Sequence, residues 1–340
     1  LMNRICIALD AMGGDHSPRC VLGGADLALQ DDTNLYFHIF GNKEQILPLW
    51  QSTQRLRHFS EIHHTDEVIT PELKPAQALL GFKKSSMRLA IACVAAGEAQ
   101  AVISGGNTGA YVALSKVLLK MITNIDRPVL PALMPSIKGT TVLLDVGANL
   151  NCDAENLVQF AIMGECFARI LLQKESPSIG LLNIGSEESK GHPALHEAAQ
   201  MLKKMPNLNF YGFIEGSDIT LGTVDVVVTD GFSGNLVLKA IEGSAHFFAQ
   251  LLRDALGSSL RGRLGYKMAA PAFTKIKEQI DPRHHNGTLF LGLKGLAVKS
   301  HGGTDAVGFA NAIQVAASMV QKNLVSSIEE RQIAREAIPQ

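Results

Sequence analysis

Several features that mark special classes of protein are missing from this sequence. It has only 5 cysteines among 340 residues, none spaced as CxxC, so it predicts neither a disulfide framework nor a structural zinc site. The 31 basic and 32 acidic side chains nearly cancel, which leaves no basic field to hold nucleic acid. No apolar run approaches the roughly 18 residues that a membrane-spanning helix needs, and the first residues lack a signal-peptide pattern. We therefore expect a cytoplasmic protein that does not bind nucleic acid.

The remaining composition is typical of a globular protein, with 46% hydrophobic and 19% charged residues. Short apolar runs recur, and each precedes a Gly or Asp turn and a stretch with helical spacing. Unbroken apolar strands that alternate with helices are typical of largely parallel sheets covered by helices, so the chain is predicted to be α/β. The Pro-bearing stretch 124–135 is the best internal break and predicts two lobes. The apolar runs are 5–9, 36–40, 101–103, 141–144, 179–183 and 224–228.

Five of the predicted strands end in turns rich in Gly, Asp and Asn, namely 10–16, 104–109, 145–149, 183–186 and 230–235. Such turns expose backbone N–H groups at a helix N-terminus, where glycine lets an anion approach closely. The turn SGGNTG adds three side-chain donors and is the strongest candidate for a phosphate site. Its residues are Ser104, Gly105, Gly106, Asn107, Thr108 and Gly109. The alternative, that any one of these turns only connects a strand to a helix, stays open at this point.

Three common nucleotide and hydrolase motifs are absent. SGGNTG is not the GxGxxG fingerprint, and the segment 295–300 has Val298 where a P-loop has the glycine before its lysine. The segment 231–234 falls short of the GxSxG elbow, which leaves Ser233 a weak nucleophile candidate. The sequence therefore disfavours kinase, ATPase and serine-hydrolase chemistry.

Two pairs of adjacent histidines raise the question of a metal site. They are His63 and His64 with Asp66, and the pair at 284–285 with Asp281. Neither pair belongs to a zinc-binding HExxH motif, and both lie in polar surroundings between predicted elements. We predict that they are solvated loop histidines and that no metal is bound.

The segment KSHGGTD at 299–305 combines several functional groups in one turn. It places a cation on Lys299, a hydroxyl on Ser300 and an imidazole on His301 beside a row of backbone donors. Thr304 is predicted to cap the helix that follows. The alternative is a helix cap alone, with Lys299 in solvent.

The segment 252–280 differs from the rest of the chain. Leucines recur in it every four residues and basic side chains surround them, which predicts an amphipathic helical segment. It fits either an anionic membrane surface or the helical contact of a dimer. The leucines are Leu252, Leu256, Leu260 and Leu264, and the basic residues are Arg253, Arg261, Arg263 and Lys267.

Six motifs occur in a fixed order: IALDAMGGDHSP (7–18), SGGNTGA (104–110), LLDVGANLNCD (143–153), LLNIGSEESKG (181–191), DGFSGN (230–235) and VKSHGGTD (298–305). In this order and spacing they resemble the bacterial phosphate acyltransferase family, the acyl-ACP:phosphate transacylases, which is related to phosphotransacetylases. The resemblance extends over residues 2–320, essentially the full chain. The chain is identified as a member of that family.

The resemblance implies that inorganic phosphate attacks the thioester of a fatty acyl carrier protein. The products are acyl phosphate, the precursor for phospholipid synthesis, and free carrier protein. It also implies a homodimer that associates peripherally with the inner face of the cell membrane and hands its product to a glycerol-3-phosphate acyltransferase. The implied fold is two-lobed and similar to isocitrate and isopropylmalate dehydrogenases, with a cleft lined by the Gly-rich turns. Residues 2–335 then form one catalytic unit, in which 252–280 contacts the membrane, a second copy or the acidic carrier protein.

The turns and the resemblance together give a set of expected site residues, without a metal or cofactor. Phosphate is expected at 104–109, because holding it beside the carbonyl removes an entropic cost. Ser300, His301 and Gly302 are expected to stabilise the oxyanion, although phosphotransacetylases have a Ser-Arg pair where this chain has Ser300 and His301. The expected catalytic residues are Lys299, Ser300, His301, Asp230 and Asn235. The expected cleft-lining residues are Asp10, Gly13, Gly14, Asp15, Asn149, Lys190 and Ser233.

Two alternatives from other classes stay open. One is a dinucleotide-dependent dehydrogenase on the same fold, which does not need the GxGxxG fingerprint, although nothing in the sequence positively indicates a nicotinamide. The other is a non-catalytic membrane scaffold based on the segment 252–280.

Overall fold

The computed structural model describes residues 4–279 and 287–336. Within them the strands are, in chain order, β1 (Ile5–Asp10), β2 (Leu35–Gly41), β3 (Ser60–His64), β4 (Ala101–Ser104), β5 (Pro131–Ser136), β6 (Gly139–Leu144), β7 (Ser178–Leu182), β8 (Asn209–Ile214), β9 (Val226–Val228), β10 (Thr288–Leu289) and β11 (Leu296–Lys299). The helices are α1 (Arg19–Asp31), α2 (Lys43–Gln51), α3 (Gln54–His58), α4 (Pro75–Leu80), α5 (Ser86–Ala95), α6 (Thr108–Leu119), α7 (Ala154–Leu172), α8 (Pro193–Lys203), α9 (Gly216–Leu221), α10 (Gly231–Gly257), α11 (Leu260–Gln279), α12 (Ala306–Gln321) and α13 (Leu324–Glu336).

The chain divides into two compact units, each with its own sheet. The described part of unit 1 consists of residues 4–131, 159–176 and 287–336, and that of unit 2 consists of residues 132–158 and 177–279. The sheet of unit 1 has the order β10-β11-β4-β1-β2-β3, with every neighbouring pair parallel except β10 and β11. The sheet of unit 2 has the order β5-β6-β9-β7-β8, and its last four strands are parallel. The α/β prediction, with mostly parallel sheets covered by helices, is confirmed.

The central strands of unit 1 bring three strand ends together. β4 lies between β1 and β11 and is parallel to both. In this register Lys299 pairs with Ser104, and Leu9, the residue before Asp10, pairs with Ile103. Parallel strands end at the same edge of a sheet, which is where ligands bind in such folds. The turns that follow β1, β4 and β11 are therefore neighbours.

One buried tyrosine fixes α6 on this sheet. The hydroxyl of Tyr111 donates to the carbonyl oxygens of Val102, at 2.9 Å, and Val298, at 3.3 Å. Those carbonyls belong to β4 and β11, so the bonds hold the first turns of α6 against both strands. The N-terminus of α6 is thereby placed directly after the Gly-rich turn that ends β4.

In unit 2 the ladder between β6 and β9 continues into the turns beyond them. The backbone N–H of Asp145 donates to the Thr229 carbonyl at 3.0 Å, and that of Thr229 donates to the Leu144 carbonyl at 2.7 Å. The turn after β6 and the turn after β9 therefore start from adjacent points of this sheet.

The helices α10 and α11 form a hairpin, called here the α10–α11 hairpin, whose side chains are mostly exposed. Its large apolar residues Phe247, Phe248 and Leu264 expose 58%, 62% and 62% of their surface. The amphipathic segment predicted from 252 starts inside α10, which begins after the Asp230 cap and passes through 252 without a break. The predicted end at 280 lies outside the described residues. No described helix is both long and apolar enough to cross a membrane.

Candidate functional site

A buried carboxylate organises the strand ends of unit 1. Asp10 exposes 1% of its surface and accepts hydrogen bonds from the hydroxyls of Ser104, at 2.6 Å, and Ser86, at 2.7 Å. Burial raises the pKa of Asp10, while the two hydroxyls and the nearby charge of Lys299 act in the opposite direction. The carboxylate therefore ties the end of β1 to the end of β4 and to the start of α5.

The glycines after β1 and β4 allow backbones to touch. A Cβ on Gly13 would lie 2.5 Å from Asp10 Oδ2 and 2.7 Å from the nitrogen of Gly106, which no other residue tolerates. A Cβ on Gly105 would lie 2.8 Å from the carbonyl oxygen of Gly13, and Gly14 has a φ of +113°. The two turns are consequently packed backbone against backbone.

The turn after β11 joins the same group. The N–H of Ser300 donates to the Ser104 carbonyl at 2.9 Å, and the N–H of Asp15 donates to the Gly302 carbonyl at 2.8 Å. The structure therefore brings together, within unit 1, most of the residues that the sequence predicted from three separate turns. They are Asp10, Gly13, Gly14, Asp15, Ser104, Gly105, Gly106, Lys299, Ser300 and Gly302.

Lys299 supplies a cation in this group, and its environment weakens its charge. Burial lowers the pKa of Lys299 to about 8, and the carboxylates of Asp10 and Asp15 partly oppose that shift. Its Nζ donates to the carbonyl oxygen of Ser300. The amine is thus half-buried beside the strand ends rather than in solvent, and it changes charge slightly above neutral pH.

The two residues beyond Lys299 differ in exposure. Ser300 is buried, whereas His301 is exposed and its Nδ1 accepts a hydrogen bond from the Gly303 N–H at 3.2 Å. The cap of α12 is Asp305, whose carboxylate accepts from the Gly308 N–H at 2.9 Å. The prediction of Thr304 as the cap is wrong, because the helix starts one residue later than the sequence pattern suggested.

Asn107 is a structural residue of the SGGNTG turn. Its Oδ1 caps α6 by accepting from the Ala110 N–H at 3.0 Å. Its Nδ2 donates to the carbonyls of Thr70, Pro71 and Leu73 at 3.2, 2.9 and 2.8 Å. The side-chain amide therefore holds the preceding loop. Thr108 and Gly109, which follow it at the N-terminus of α6, are exposed.

Unit 2 contains a second group of turn residues arranged around a buried aspartate. Asp145 is fully buried, and its Oδ2 accepts from the backbone N–H of Asn149 at 2.6 Å and from the Asn149 side chain at 3.0 Å. A Cβ on Gly234 would lie 1.9 Å from the Asp145 carbonyl oxygen, so α10 begins directly on this turn. The sequence analysis included Asp145 in the turn 145–149 but named only Asn149 among the site residues. The sequence carried a signal for Asp145, because an Asp stands at the end of the apolar run in both DAMGGD and DVGAN.

The other predicted residues of unit 2 lie in two separate turns. Asp230 caps α10, accepting from the N–H of Ser233 at 2.8 Å and from its hydroxyl at 3.0 Å, and Asn235 is exposed one turn later. Lys190 is exposed, and its carbonyl accepts from the Asn183 side chain at 2.8 Å.

The basic residues predicted as a contact surface lie along the α10–α11 hairpin. Arg253 donates to Gln250 at 2.6 Å and Arg263 donates to the Gly257 carbonyl at 3.0 Å. Arg261 and Lys267 are exposed, Leu256 is half-buried, and the side chain of Leu260 is outside the described part.

The predicted histidine pairs have different outcomes. His63 and His64 belong to β3, so their prediction as loop residues is wrong. Four of the five residues of this short edge strand are polar, so the apolar run that marks a buried strand is missing from the sequence. The pair at 284–285 and Asp281 lie outside the described residues. Ser86, the second donor to Asp10, was also missed, since its place beside β1 depends on tertiary packing.

The chain matches known proteins over nearly its whole length. The family model described as "Fatty acid synthesis protein" matches residues 5–327. A phosphate acyltransferase of Rhodospirillum centenum is 51% identical, covering 94% of this chain and 90% of the relative. A phosphate acyltransferase of Rhodospirillum rubrum is 45% identical, covering 100% of this chain and 97% of the relative. In fold the chain is similar to a phosphotransacetylase of Streptococcus pyogenes, with a TM-score of 0.65, 18% identity, and coverage of 94% and 95%.

The α/β fold and these relatives together define an acyltransferase. The chain belongs to the phosphate acyltransferase family, which confirms the family predicted from the six ordered motifs. The dehydrogenase and scaffold alternatives are set aside, because the relatives are named as transferases.

The hydroxyl of Ser104 gives a direct test of the Asp10 group. Ser104→Ala removes a donor to a buried carboxylate, and we expect it to lower the free energy of unfolding by about 1–3 kcal/mol in urea titrations. Ser115→Ala is the matched control, because Ser115 is also fully buried but its hydroxyl has no hydrogen-bond partner among the described residues. The control should leave stability unchanged or raise it. Equal losses in both variants would contradict the role given to the Asp10 group.

Proposed function

We propose that the protein transfers a fatty acyl group from the thioester of acyl carrier protein to inorganic phosphate, giving acyl phosphate and free carrier protein. The activity follows the name of its phosphate acyltransferase relatives. The observation that carries the proposal for this chain is the convergence, in unit 1, of a cation, buried hydroxyls and glycine backbone at three strand ends. Those are groups suited to hold phosphate and to stabilise charge that develops on a neighbouring carbonyl.

Phosphate is assigned to the turn 104–109 and the N-terminus of α6. The N-terminus of a helix favours an anion, and Thr108 and Gly109 are exposed there. The side chain of Asn107 contributes by holding this turn and the loop at residues 70–73 in place. Lys299 adds the positive charge. Holding phosphate in place in this way removes much of the entropic cost of bringing two substrates together.

In the reaction an oxygen of phosphate attacks the thioester carbonyl carbon, and the carbon–sulfur bond then breaks. The thiolate of the carrier protein leaves with the electron pair and takes a proton from solvent. Because a thiolate is a good leaving group, no covalent acyl-enzyme is required. Ser300, His301 and the Gly302 backbone are assigned to the oxyanion of the tetrahedral intermediate, where one well-aimed donor typically contributes about 3 kcal/mol.

For the predicted site residues of unit 2 we propose two roles: some hold the strand-end turns in position, and others contact the substrate. The Asp230 and Ser233 cap fixes the start of α10, and Asn149 orders the turn around Asp145. Asn235 and Lys190 are exposed and are assigned to substrate contact.

We also propose that the fold is of the type found in isocitrate and isopropylmalate dehydrogenases.

The α10–α11 hairpin is the proposed interaction surface. It combines exposed apolar side chains such as Phe247, Phe248 and Leu264 with the basic residues Arg261 and Arg263. Three partners match that chemistry: a second copy in a homodimer, the anionic inner face of the cell membrane, and the acidic carrier protein. A cytoplasmic enzyme held peripherally at the membrane would release acyl phosphate where a glycerol-3-phosphate acyltransferase can use it.

Thiol release from palmitoyl-acyl carrier protein, with and without inorganic phosphate, tests the activity. The wild type should release thiol only with phosphate. His301→Ala should lower that rate about 100-fold, because it removes an oxyanion donor. Asn107→Ala should also lose activity, because it releases both the α6 cap and the preceding loop. Circular dichroism controls for folding. No release by the wild type would overturn the reaction, and full activity in His301→Ala would overturn that residue's assignment.

The charge of Lys299 predicts a pH dependence. Its pKa of about 8 means that the free enzyme loses this cation as the pH rises through that value. The kcat/KM for phosphate should therefore fall above about pH 8, since it reports the free enzyme. Lys299→Arg keeps its charge and should extend the plateau to higher pH. An identical alkaline decline in both enzymes would exclude Lys299 as the titrating group.

The exposed basic residues Arg261 and Arg263 of α11 predict a selective effect on the carrier protein. Arg261→Glu with Arg263→Glu should raise the KM for palmitoyl-acyl carrier protein at least about tenfold at low ionic strength and leave the KM for phosphate unchanged. Lys239→Glu is the charge control, because Lys239 is exposed on α10, the other helix of the hairpin, where it pairs with Glu242. An unchanged carrier KM together with lost binding to anionic vesicles would assign Arg261 and Arg263 to the membrane instead.

A further inference from the structure

Three side chains on the edge of the unit 1 sheet converge on one point. His38 of β2 and Glu61 of β3 are register partners, and His63 follows two residues later on the same face of β3. His38 Nδ1 lies 2.7 Å from Glu61 Oε1 and 3.1 Å from His63 Nε2, and His63 Nε2 lies 3.2 Å from the same carboxylate oxygen. Within residues 4–279 and 287–336, this His38–Glu61–His63 cluster is the one group of three such ligand atoms this close together.

Two arrangements satisfy these contacts. If each of the two ring nitrogens carries a hydrogen, both N–H groups donate to the same Glu61 Oε1, at 2.7 and 3.2 Å, and the nitrogens lie 3.1 Å apart. If neither nitrogen carries a hydrogen, three lone pairs converge on one point, where a cation accepts all of them.

The geometry leaves room for such an ion. The three distances place the donor atoms on a circle of about 1.7 Å radius, so an ion about 1.1 Å above their plane lies 2.0–2.1 Å from each. Zinc binds His nitrogen and carboxylate oxygen at about that distance, commonly with three protein ligands and one water. The side chains of Glu61 and His63 expose 49% and 37% of their surface, which leaves access for ion and water.

The surroundings hold the two imidazoles in place. The ring of Phe40 stacks on His63 with centroids 4.5 Å apart, and Tyr36 contacts the edge of the His38 ring at 5.5 Å. His38 itself exposes only 13% of its side chain. Ligands whose orientations are fixed by packing lose little freedom when the metal binds.

We propose that His38, Glu61 and His63 form a binding site for one Zn²⁺ per chain, with water as the fourth ligand, on the edge strands β2 and β3. The site lies on the face of the sheet that carries Tyr36 and Phe40. Bound zinc joins the edge strand β3 to β2 and therefore stabilises unit 1. It uses none of the residues assigned to acyl transfer.

The neighbouring thiol is not part of this site. Burial raises the pKa of Cys6, with a smaller opposing effect of Arg4 and a smaller reinforcing effect of Glu61. Cys6 does not belong to the group of residues whose ligand atoms converge. The proposed ligand set contains only nitrogen and oxygen, which X-ray absorption distinguishes from sulfur.

The test uses the full chain without a histidine tag, freed of metal by chelation and titrated with Zn²⁺ by calorimetry. The wild type should bind one equivalent and show a higher Tm with zinc. Glu61→Gln, His63→Gln and His38→Gln should each weaken binding at least about 100-fold. Glu61 and His63 are partly exposed, so we expect their variants to fold even if substitution of the more buried His38 disturbs the structure. Circular dichroism checks the folding of each variant.

His64→Gln is the matched control, because His64 is the next residue of β3 but contacts Asp66 and the Lys43 N–H instead of the cluster. It should bind zinc like the wild type. The zinc K-edge spectrum should show only nitrogen and oxygen neighbours near 2.0–2.2 Å. The proposal is overturned by a wild type that binds no zinc, by cluster variants that bind normally, by an equal loss in His64→Gln, or by a sulfur neighbour near 2.3 Å.

Discussion

The buried carboxylate of Asp10 is the constraint on which the strand-end turns of unit 1 depend. A carboxylate without water is costly unless donors surround it, and its donors here come from Ser104 and Ser86, 94 and 76 residues along the chain. β1, β4 and α5 must therefore hold fixed positions before these bonds form. The chemistry assigned to Ser104 and Lys299 depends on that arrangement.

The glycines of unit 1 follow from the same constraint. Gly13 lies against both the Asp10 carboxylate and the backbone of Gly106, so any side chain there would separate the two turns. Because the turns are in contact, Lys299 lies in a partly buried position near the carboxylates of Asp10 and Asp15. Its lowered pKa is thus a consequence of how tightly the strand ends pack.

Unit 2 uses a similar arrangement on its own sheet. Asp145, the first residue after β6, is buried and bonded by Asn149, and Asp10, the last residue of β1, is buried and bonded by serines. Gly234 permits α10 to start against the Asp145 backbone. In both units an aspartate at the end of a strand accepts the hydrogen bonds that order a Gly-rich turn, and glycine allows the close approach that this requires.

The sequence was sufficient for the α/β class, the family and the turns that carry the polar groups. Those are local properties, since an apolar run followed by Gly, Asp or Asn predicts a buried strand and its turn wherever it lies. The grouping of Asp10, Ser104 and Lys299 was expected only in outline, from the rule that parallel strands end at one edge. The start of α12 differed from the prediction by one residue, because Thr304 and Asp305 are both residue types that cap helices and only the folded backbone decides which of them does so.

Other features were decided only by tertiary structure. Ser86 donates to Asp10 because α5 packs beside β1, and the side chain of Asn107 is engaged because the loop at residues 70–73 passes next to it. His38 meets Glu61 and His63 because β2 pairs with β3 in one particular register. A one-residue slip would turn those side chains to opposite faces. The sequence thus determined which groups are present and on which elements they lie, whereas strand order and register decided which of them touch, because contacts between distant residues depend on packing rather than on local pattern.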